Sequence, residues 1–555
     1  MGLLERVWIF LPKWLHPFWN WHNFFFETDG IKPYNILVLF ISLAYLAITL
    51  DVSGVLKAAA YWVSNQGGNN TRKLYFYFYL LLTCVSMVVG NDPVILSGTA
   101  FLVYYTSATR LDPVAWLIAE FAAANTASMV LFVGNPTNVV ICEGFQVNNA
   151  AFTAYTILPF IACNLACYLA LAFQFRHPKH LPPSFAVKGK LNPRDALRDP
   201  VSAIFGGVLL LICLALVIVL SFFHVDVWKV VLPFAGAKFI FDIAWDHHQL
   251  KRRLDNPTPS SDPQLPPDDE TTRNQIVRAL SMPNDIESRL ASENITLGPK
   301  QNNPDSKEKE LNESEDAATG TKRTNSADSD DSKDSKGSDD SKKSLIHKVL
   351  YIFVSKDSKD STPLPEKTRL FATQRDKFDA RYLSLAQHFP TFFTALPRLP
   401  FGLIPFAFSQ FILIEGLAHQ GWIDIFATWL VKATHGQIIP TIWVVGVLGV
   451  ILCNIAGTNI GATILLTKVV RAAPDFPVGS ARAAAIALAV ASNIGAVSFT
   501  FSASLAGLLW KSILGDKGII IKQSKFAFWN CLPILVMTAV GLAVVTAEMS
   551  VLYKH

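Results

Sequence analysis

Charge is scarce in this chain. Lys, Arg, Asp and Glu make up 16% of its 555 residues, whereas a soluble protein devotes about a quarter of its residues to them. One long internal stretch is very polar, so the remainder is more apolar than the mean hydropathy of +0.32 suggests. The net charge of +5 is small for the length. No basic stripe with interleaved aromatics offers a surface for nucleic acid, and the basic residues fit better as flanks of membrane helices.

Other absences narrow the function classes. The cysteines (Cys84, Cys142, Cys163, Cys167, Cys213, Cys453 and Cys531) contain no two pairs at zinc spacing. All but Cys142 lie inside apolar runs, which argues against a disulfide framework and for packing. There is no HExxH, no phosphate-cradling Gly-rich loop with Lys-Ser/Thr, and no GxSxG elbow. The chain thus holds no ATPase module and no metal site, and no convergent His/Asp/Cys set points to a membrane enzyme. We expect no catalytic residues and no cofactor beyond a coupling sodium ion or proton. Residues 1–33 lack the clean apolar core and small-residue cleavage site of a signal peptide. Trp8, Trp14, Trp19, Trp21 and Phe24 to Phe26 instead suit an interfacial segment.

What is present is a series of long apolar runs. About ten are full length for a bilayer core, which needs roughly 20 residues of helix: Tyr34–Leu50, Leu74–Gly90, Val114–Phe132, Phe152–Phe175, Ser202–Phe223, Val227–Trp245, Leu399–Leu417, Pro440–Cys453, Ala483–Phe501 and Phe526–Ala547. Half-length pieces lie at Val94–Ala108, Trp422–Val431, Ile460–Val470 and Ala503–Leu514. Backbone groups in hydrocarbon must be satisfied internally, and these runs are too uniformly apolar for barrel strands. The expected fold class is an all-α polytopic membrane protein with the lipid bilayer as its first partner.

Residues 34–245 form a first membrane half and 397–555 a second. Between them, 246–366 read as a disordered linker. Serine recurs at every third position from Ser326 to Ser344 among Asp, Lys and Gly, and such a tract has little apolar surface to offset chain entropy. The linker is a candidate dock for regulatory proteins, and its Ser-rich character suggests a plasma or internal membrane of a eukaryote. Residues 367–396, with Phe371, Phe378, Tyr382, Leu383 and Phe389 among charges, read as an interfacial amphipathic helix. The loop after Phe175 and the start of the linker are rich in Lys and Arg, and the turn His224–Asp226 between them has neither. Both basic loops are therefore placed in the cytoplasm, where the sequons at Asn294 and Asn312 stay unmodified.

Polar clusters interrupt the apolar runs. They are Gly90-Asn91-Asp92-Pro93, Asn125-Thr126-Ala127-Ser128, Gly134-Asn135-Pro136-Thr137-Asn138, Thr458-Asn459, Ser492-Asn493-Ile494-Gly495 and Ser502-Ala503-Ser504. Asn91 to Asn125 spans 34 residues, as does Asn459 to Asn493, and both pairs share one offset (459 − 91 = 493 − 125 = 368). That is the mark of an internal repeat of the kind built into many carriers. A break in a span frees backbone groups that only protein or a water-filled cavity can meet, and it exposes partly charged helix ends. Such residues also glue membrane helices together, but matched spacing in both halves favours a binding site. Candidate substrate-binding residues are Asn91, Asp92, Asn125, Thr126, Ser128, Asn135, Thr137, Thr458, Asn459, Asn493, Ser502 and Ser504, with Asp92 the candidate sodium or proton site. Lys238 and Asp242, at i and i+4, are positioned to pair.

These clusters resemble the arsenite permease branch of the ion-transporter superfamily, which also holds citrate and dicarboxylate carriers and sodium/proton antiporters. Asn91-Asp92 looks like the family's Asn-Asp pair. Ala124 to Ser128 with Gly134 to Asn138 looks like its first broken helix, Thr458-Asn459 like its second hairpin tip, and Ser492 to Gly495 with Ser504 to Trp510 like its second broken helix. The chain departs from arsenite permeases in carrying Asn125 and Asn493 where they tend to have Asp. The resemblance implies two inverted repeats, each with a re-entrant hairpin and a broken helix. It implies secondary active transport of a small inorganic oxyanion or carboxylate, with arsenite-type efflux the specific expectation. Sodium/proton antiport and a non-transporting scaffold built on the linker are the alternatives. The substrate partner is accordingly a small anion or cation, and a homodimer is one assembly the sequence allows.

Overall fold

The computed structural model describes residues 33–185, 189–223, 225–255, 381–382 and 384–553. The aromatic N-terminal segment, nearly all of the expected linker and the first part of the expected interfacial helix lie outside them.

The first half opens with α1 (Pro33–Val52) and a short α2 (Val55–Gly67). Helices α3 (Thr71–Val89) and α4 (Asn91–Thr109) form an antiparallel hairpin. The ring of Phe78 packs against Phe101 and Tyr105 at 5.7 and 5.6 Å. The tip is Gly90, at φ +85, a conformation that glycine alone adopts at no steric cost. Helix α5 (Pro113–Ala127) runs back along α4, stops at Ser128, and passes through a 3-10 turn (Phe132–Gly134) into α6 (Pro136–Gly144). A long α7 (Asn149–Gln174), a one-turn α8 (Pro193–Ala196) and the paired α9 (Pro200–Leu220) and α10 (Val227–Asp255) complete it.

The second half repeats the order. After a short α11 (Pro390–Ala395) come α12 (Leu403–His419), α13 (Trp422–Thr434), the hairpin α14 (Ile438–Ile455) and α15 (Asn459–Arg471), and α16 (Val478–Val497). A 3-10 turn (Phe501–Ala503), α17 (Leu505–Asp516) and α18 (Gln523–Leu552) follow. Adding 368 (459 − 91) to the starts of α1 through α6 gives the starts of α12 through α17 within three residues. For α7 and α18 the offset is 374 (523 − 149), and it superposes Pro159 on Pro533.

The contacts show that the repeat is inverted. Helices α5 and α16 pack on each other, as do α7 and α18, each element against its own counterpart. Helix α4 packs on α17 and α6 on α15. Since α15 is the counterpart of α4 and α17 of α6, these are one contact seen twice, as a two-fold relation requires. Helix α4 turns back from the tip while α6 runs on past the break, so the two lie on opposite sides of the break level. Their partners α17 and α15 are therefore on reversed sides. The pseudo-axis passes beside Cys163 and Met537, themselves 374 apart, where the thiol meets the Met537 carbonyl at 3.5 Å.

Seven of these helices (α1, α3, α7, α9, α14, α16 and α18) are long and apolar enough to cross a membrane by length and composition, fewer than the ten runs read from the sequence. Val114–Phe132 is not one span, because α5 stops at Ser128. Helix α12 begins only at Leu403 and has 17 residues. Helix α10 buries Lys238, Asp242 and Asp246 and runs ten residues beyond the expected Trp245 to Asp255. Inside it Lys238 pairs with Asp242 as its spacing suggests. Tyr45 of α1 donates to the same carboxylate at 3.0 Å, so the buried charges are satisfied, as they must be to persist. No strand forms among the described residues.

Candidate substrate site at the paired helix breaks

The site is assembled where each hairpin tip meets a broken helix. Asn135 caps α6 by accepting from Thr137 N at 3.2 Å. Thr458 caps α15 by accepting from Ile460 N at 3.2 Å, and Ser504 caps α17 by accepting from Gly507 N at 3.1 Å. These three candidates thus hold helix N-termini open at the second tip and the two breaks, satisfying donors that have no intrahelical partner.

Asn125 and Asn493 occupy equivalent places. Each donates to the carbonyl four residues earlier, Asn125 to Phe121 at 2.8 Å and Asn493 to Ala489 at 2.9 Å. Their other contacts differ. Asn125 accepts from Asn91 at 3.1 Å, which seats the first hairpin tip on the first break. Asn493 reaches across to the first half. Its oxygen accepts from Ser128 at 3.0 Å and Asn135 at 3.2 Å, and its amide donates to Asn138 at 2.8 Å. Beside it Ser492 donates to Thr137 at 3.3 Å. Asn493, Ser128, Asn135, Asn138 and Thr137 are all buried, so this is one polar network threading both halves.

The second hairpin tip is not seated in the same way. Asn459 is buried but makes no side-chain hydrogen bond among the described residues, and the neighbouring Ile455 is 76% exposed. Asp92, in the first turn of α4, likewise makes no side-chain hydrogen bond or ion pair among the described residues. Ser502 is exposed at the second break rather than joined to the network. Thr126 is turned away, its hydroxyl against the sulfur of Met537 at 3.3 Å.

Three residues outside the candidate set hold the breaks in shape. Asn138 donates to the freed carbonyls of Ser128 and Leu131 at 2.8 and 2.9 Å. Ser86 donates to Ala124 O at 2.9 Å, and Asn454 accepts from Phe499 N at 2.7 Å. Ser86 and Asn454 are 368 residues apart, so the same position pins the break in each half. The offset could have found this pair, and Asn138 lies in a motif already singled out. The first break is also close-packed. A Cβ on Gly134 would stand 2.3 Å from the Ser128 carbonyl oxygen, so only glycine lets the two strands of the break approach.

Electrostatically, the N-termini of α4, α6, α15 and α17 and the C-termini of α3, α5, α14 and α16 all end at the tips and breaks. Each such end carries about half an elementary charge, positive at N-termini and negative at C-termini. The arrangement can hold an anion on N–H groups and a cation on carbonyls.

Residues 30–252 match the citrate transporter family. The first membrane half is citrate-transporter-like. The chain is also 28% identical over 220 residues to an Escherichia coli protein named arsenical pump membrane protein, covering 39% of this chain and 50% of that one. A Yersinia enterocolitica protein of the same name is 26% identical over 222 residues with the same coverage. A 46 kDa membrane protein of Mycobacterium leprae is 22% identical over 198 residues, 35% of this chain and 46% of the other. The chain spans about half the length of the curated relatives it matches. The citrate-transporter-like match contains the first hairpin, the first broken helix, α9 and α10 as far as residue 252.

Proposed function

We propose that the chain is a secondary carrier that moves a small oxyanion or carboxylate across a membrane, binding it between the hairpin tips and the helix breaks. The observation that carries this reading is the Asn493 network joining both halves beside two unengaged polar groups, Asp92 and the Asn459 amide. Asp92 is half-buried rather than sealed in, and neither it nor Asn459 is tied into the packing by a side-chain hydrogen bond among the described residues, so both are available to a substrate. The citrate-transporter-like half and the arsenical pump relatives support the anion class, and arsenite-type efflux is the specific candidate. Purified protein in sealed vesicles, assayed for uptake and counterflow of labelled citrate, succinate, arsenite and arsenate, tests it. Accumulation of at least one against a gradient is expected, and no flux of any of them in correctly inserted protein would defeat the reading.

A second reading concerns coupling, favoured by the carboxylate of Asp92, which stands two residues beyond the Gly90 tip and makes no side-chain hydrogen bond or ion pair among the described residues. Here Asp92 holds a sodium ion or proton that is carried with, or against, the anion. Asp92→Asn is then expected to lose gradient-driven accumulation while keeping passive exchange. Unchanged accumulation with unchanged sodium and pH dependence would remove Asp92 from the coupling.

A further inference from the structure

A cavity of about 330 Å³ lies between the first turns of α16, the end of α6 and the first turns of α7. Ile141, Thr156 and Ala489 line it and are buried, whereas Gln146 and Arg482 line it and are exposed, so these two mark its mouth. Each wall runs into the site. Arg482, Ala485, Ile486 and Ala489 share one face of α16, and Asn493 continues that face one turn further. The Ala489 carbonyl accepts from Ser492 at 3.2 Å and from Asn493 at 2.9 Å. Thr156 donates to Val130 O, inside the first break, at 3.1 Å. Ile141 stands one turn beyond Thr137 on α6. From the mouth at Arg482 to Asn493 is about 16 Å of helix.

The equivalent space in the other half is filled. Ala489 and Cys142 correspond to Phe121 and Trp510 at the offset of 368, and Phe152 corresponds to Phe526 at 374. The rings of Phe121, Trp510 and Phe526 lie 5.3–5.5 Å apart and are fully buried. The difference lies in side-chain size, Ala and Cys against Phe and Trp. Helix α5 begins beside the basic loop, so the inverted repeat puts the filled space towards that face and the cavity towards the opposite one.

The mouth carries two groups that packing does not explain. Among the described residues Arg482 is the only charged one that lines the cavity. Its guanidinium donates to the Tyr553 hydroxyl at 2.8 Å and makes no ion pair among the described residues, which leaves other N–H groups of the fork available. Gln146 closes α6 at φ +51, with its own N–H on Glu143 O at 3.2 Å and the next on Cys142 O at 2.8 Å. The same two bonds close α17, where the left-handed residue is Gly518, at φ +72. Glycine takes that conformation at no steric cost and glutamine does not, so the helix stop does not account for Gln146. Its amide makes no side-chain hydrogen bond among the described residues.

We propose that Arg482 and Gln146 form an outer binding site for a small oxyanion or carboxylate, at the mouth of a chamber that leads to the Asn493 network from the face opposite the basic loop. A guanidinium fork and an amide N–H offer such an anion charge and directed donors together. At roughly 30 Å³ per water, the chamber holds the anion with several waters. The proposal rests on the carrier reading and adds to it an entry point that selects for charge.

Ala485→Cys, in a chain with Cys84→Ser and Cys531→Ser, puts a thiol in the chamber wall, the remaining cysteines being buried. In permeabilised vesicles of neutral phosphatidylcholine, its modification by an anionic methanethiosulfonate is compared with that by the trimethylammonium counterpart. The anionic-to-cationic rate ratio is expected to exceed that of free cysteine by roughly tenfold, and citrate, succinate or arsenate should slow both reagents. Arg482→Gln should bring the ratio down to that of free cysteine, and Arg482→Lys should keep it. No modification, a ratio equal to that of free cysteine, or equal loss in the two arginine variants overturns the site. Slowing by phosphatidylglycerol but by none of the free anions would assign the mouth to a lipid headgroup and overturn it as well. Gln146→Gly relieves the left-handed strain, so it should melt no lower than the parent, yet raise KM for the anion several-fold at unchanged maximal rate. An unchanged KM would make Gln146 a helix stop alone and overturn its part. A charge-selective, anion-protected chamber in a protein that moves no anion would defeat the carrier reading and leave the outer site standing. Flux through a chamber without charge preference would do the reverse.

Discussion

Single residues at the breaks divide into those that leave room for a close approach and those that hold polar partners, and the two kinds fail differently. Gly134 leaves room. Its Cβ would meet a backbone oxygen, which cannot swing away as a side chain can, so Gly134→Ala must push the break apart. The expected result is a loss of roughly 1–3 kcal/mol, the range for overpacking a close-packed interior, seen as a lowered melting temperature of the purified protein. A melting temperature within error of the parent would show that the break relaxes freely. Asn493 holds partners. Asn493→Ala leaves Ser128, Asn135 and Asn138 each short of a bond, and Asn138→Ala removes one of the same bonds. Residues in one network couple by about 0.5–3 kcal/mol, so the double variant should cost less than the sum. Additive losses would mean that the Asn493–Asn138 contact contributes nothing. The sequence exposed Asn125 and Asn493 through their matched spacing, but not their different partners, because equal positions in a repeat need not be equally engaged in one conformation.

Among the elements, the broken helices depend on their caps. Asn135 and Ser504 each start the outgoing limb, α6 and α17, by bonding an N–H of the first turn. An N-cap is worth about 1 kcal/mol, and Asn135 also donates to Asn493. Ser504→Ala should therefore cost about 1 kcal/mol with flux largely retained, while Asn135→Ala should cost more and impair flux. Equal effects in thermal denaturation and in vesicle uptake would contradict the unequal roles assigned to the two. The hairpins and both breaks were marked in the sequence by Gly, Asn and Ser punctuating apolar runs. Where each helix stops was hidden, because the runs Val114–Phe132 and Ala483–Phe501 continue the apolar pattern past the ends of α5 at Ala127 and α16 at Val497. Helix α2 was hidden for the opposite reason, being short and carrying Lys57 and a polar end. Ser86 and Asn454 pin the breaks through partners 38 and 45 residues away, and no local pattern marks such a bond.

At the level of the whole molecule, the inverted repeat makes a prediction that no single element makes. The turn after α4 and the turn after α15 are equivalent in the repeat, yet inversion puts them on opposite faces of the membrane. The first sits with the basic loop, where His180 and Asp112 approach to 2.5 Å, so the charge distribution predicts the cytoplasmic face for it. Ser107, exposed near the end of α4, should therefore be cytoplasmic. Val478, 75% exposed at the start of α16, should be on the far side. Lys517 bonds Tyr104 of α4 and should follow Ser107, although it lies far closer in sequence to Val478. With Cys84 and Cys531 replaced by serine, Ser107→Cys, Lys517→Cys and Val478→Cys can each be probed in sealed vesicles with a membrane-impermeant maleimide, before and after permeabilisation. The expected pattern is two sites protected together and one labelled alone, or the reverse, according to vesicle orientation. Ser107 and Val478 labelled from the same side would make the repeat parallel. The reciprocal packing of α4 on α17 and α6 on α15 would then lose its two-fold explanation, and with it the argument that both halves close on one central site.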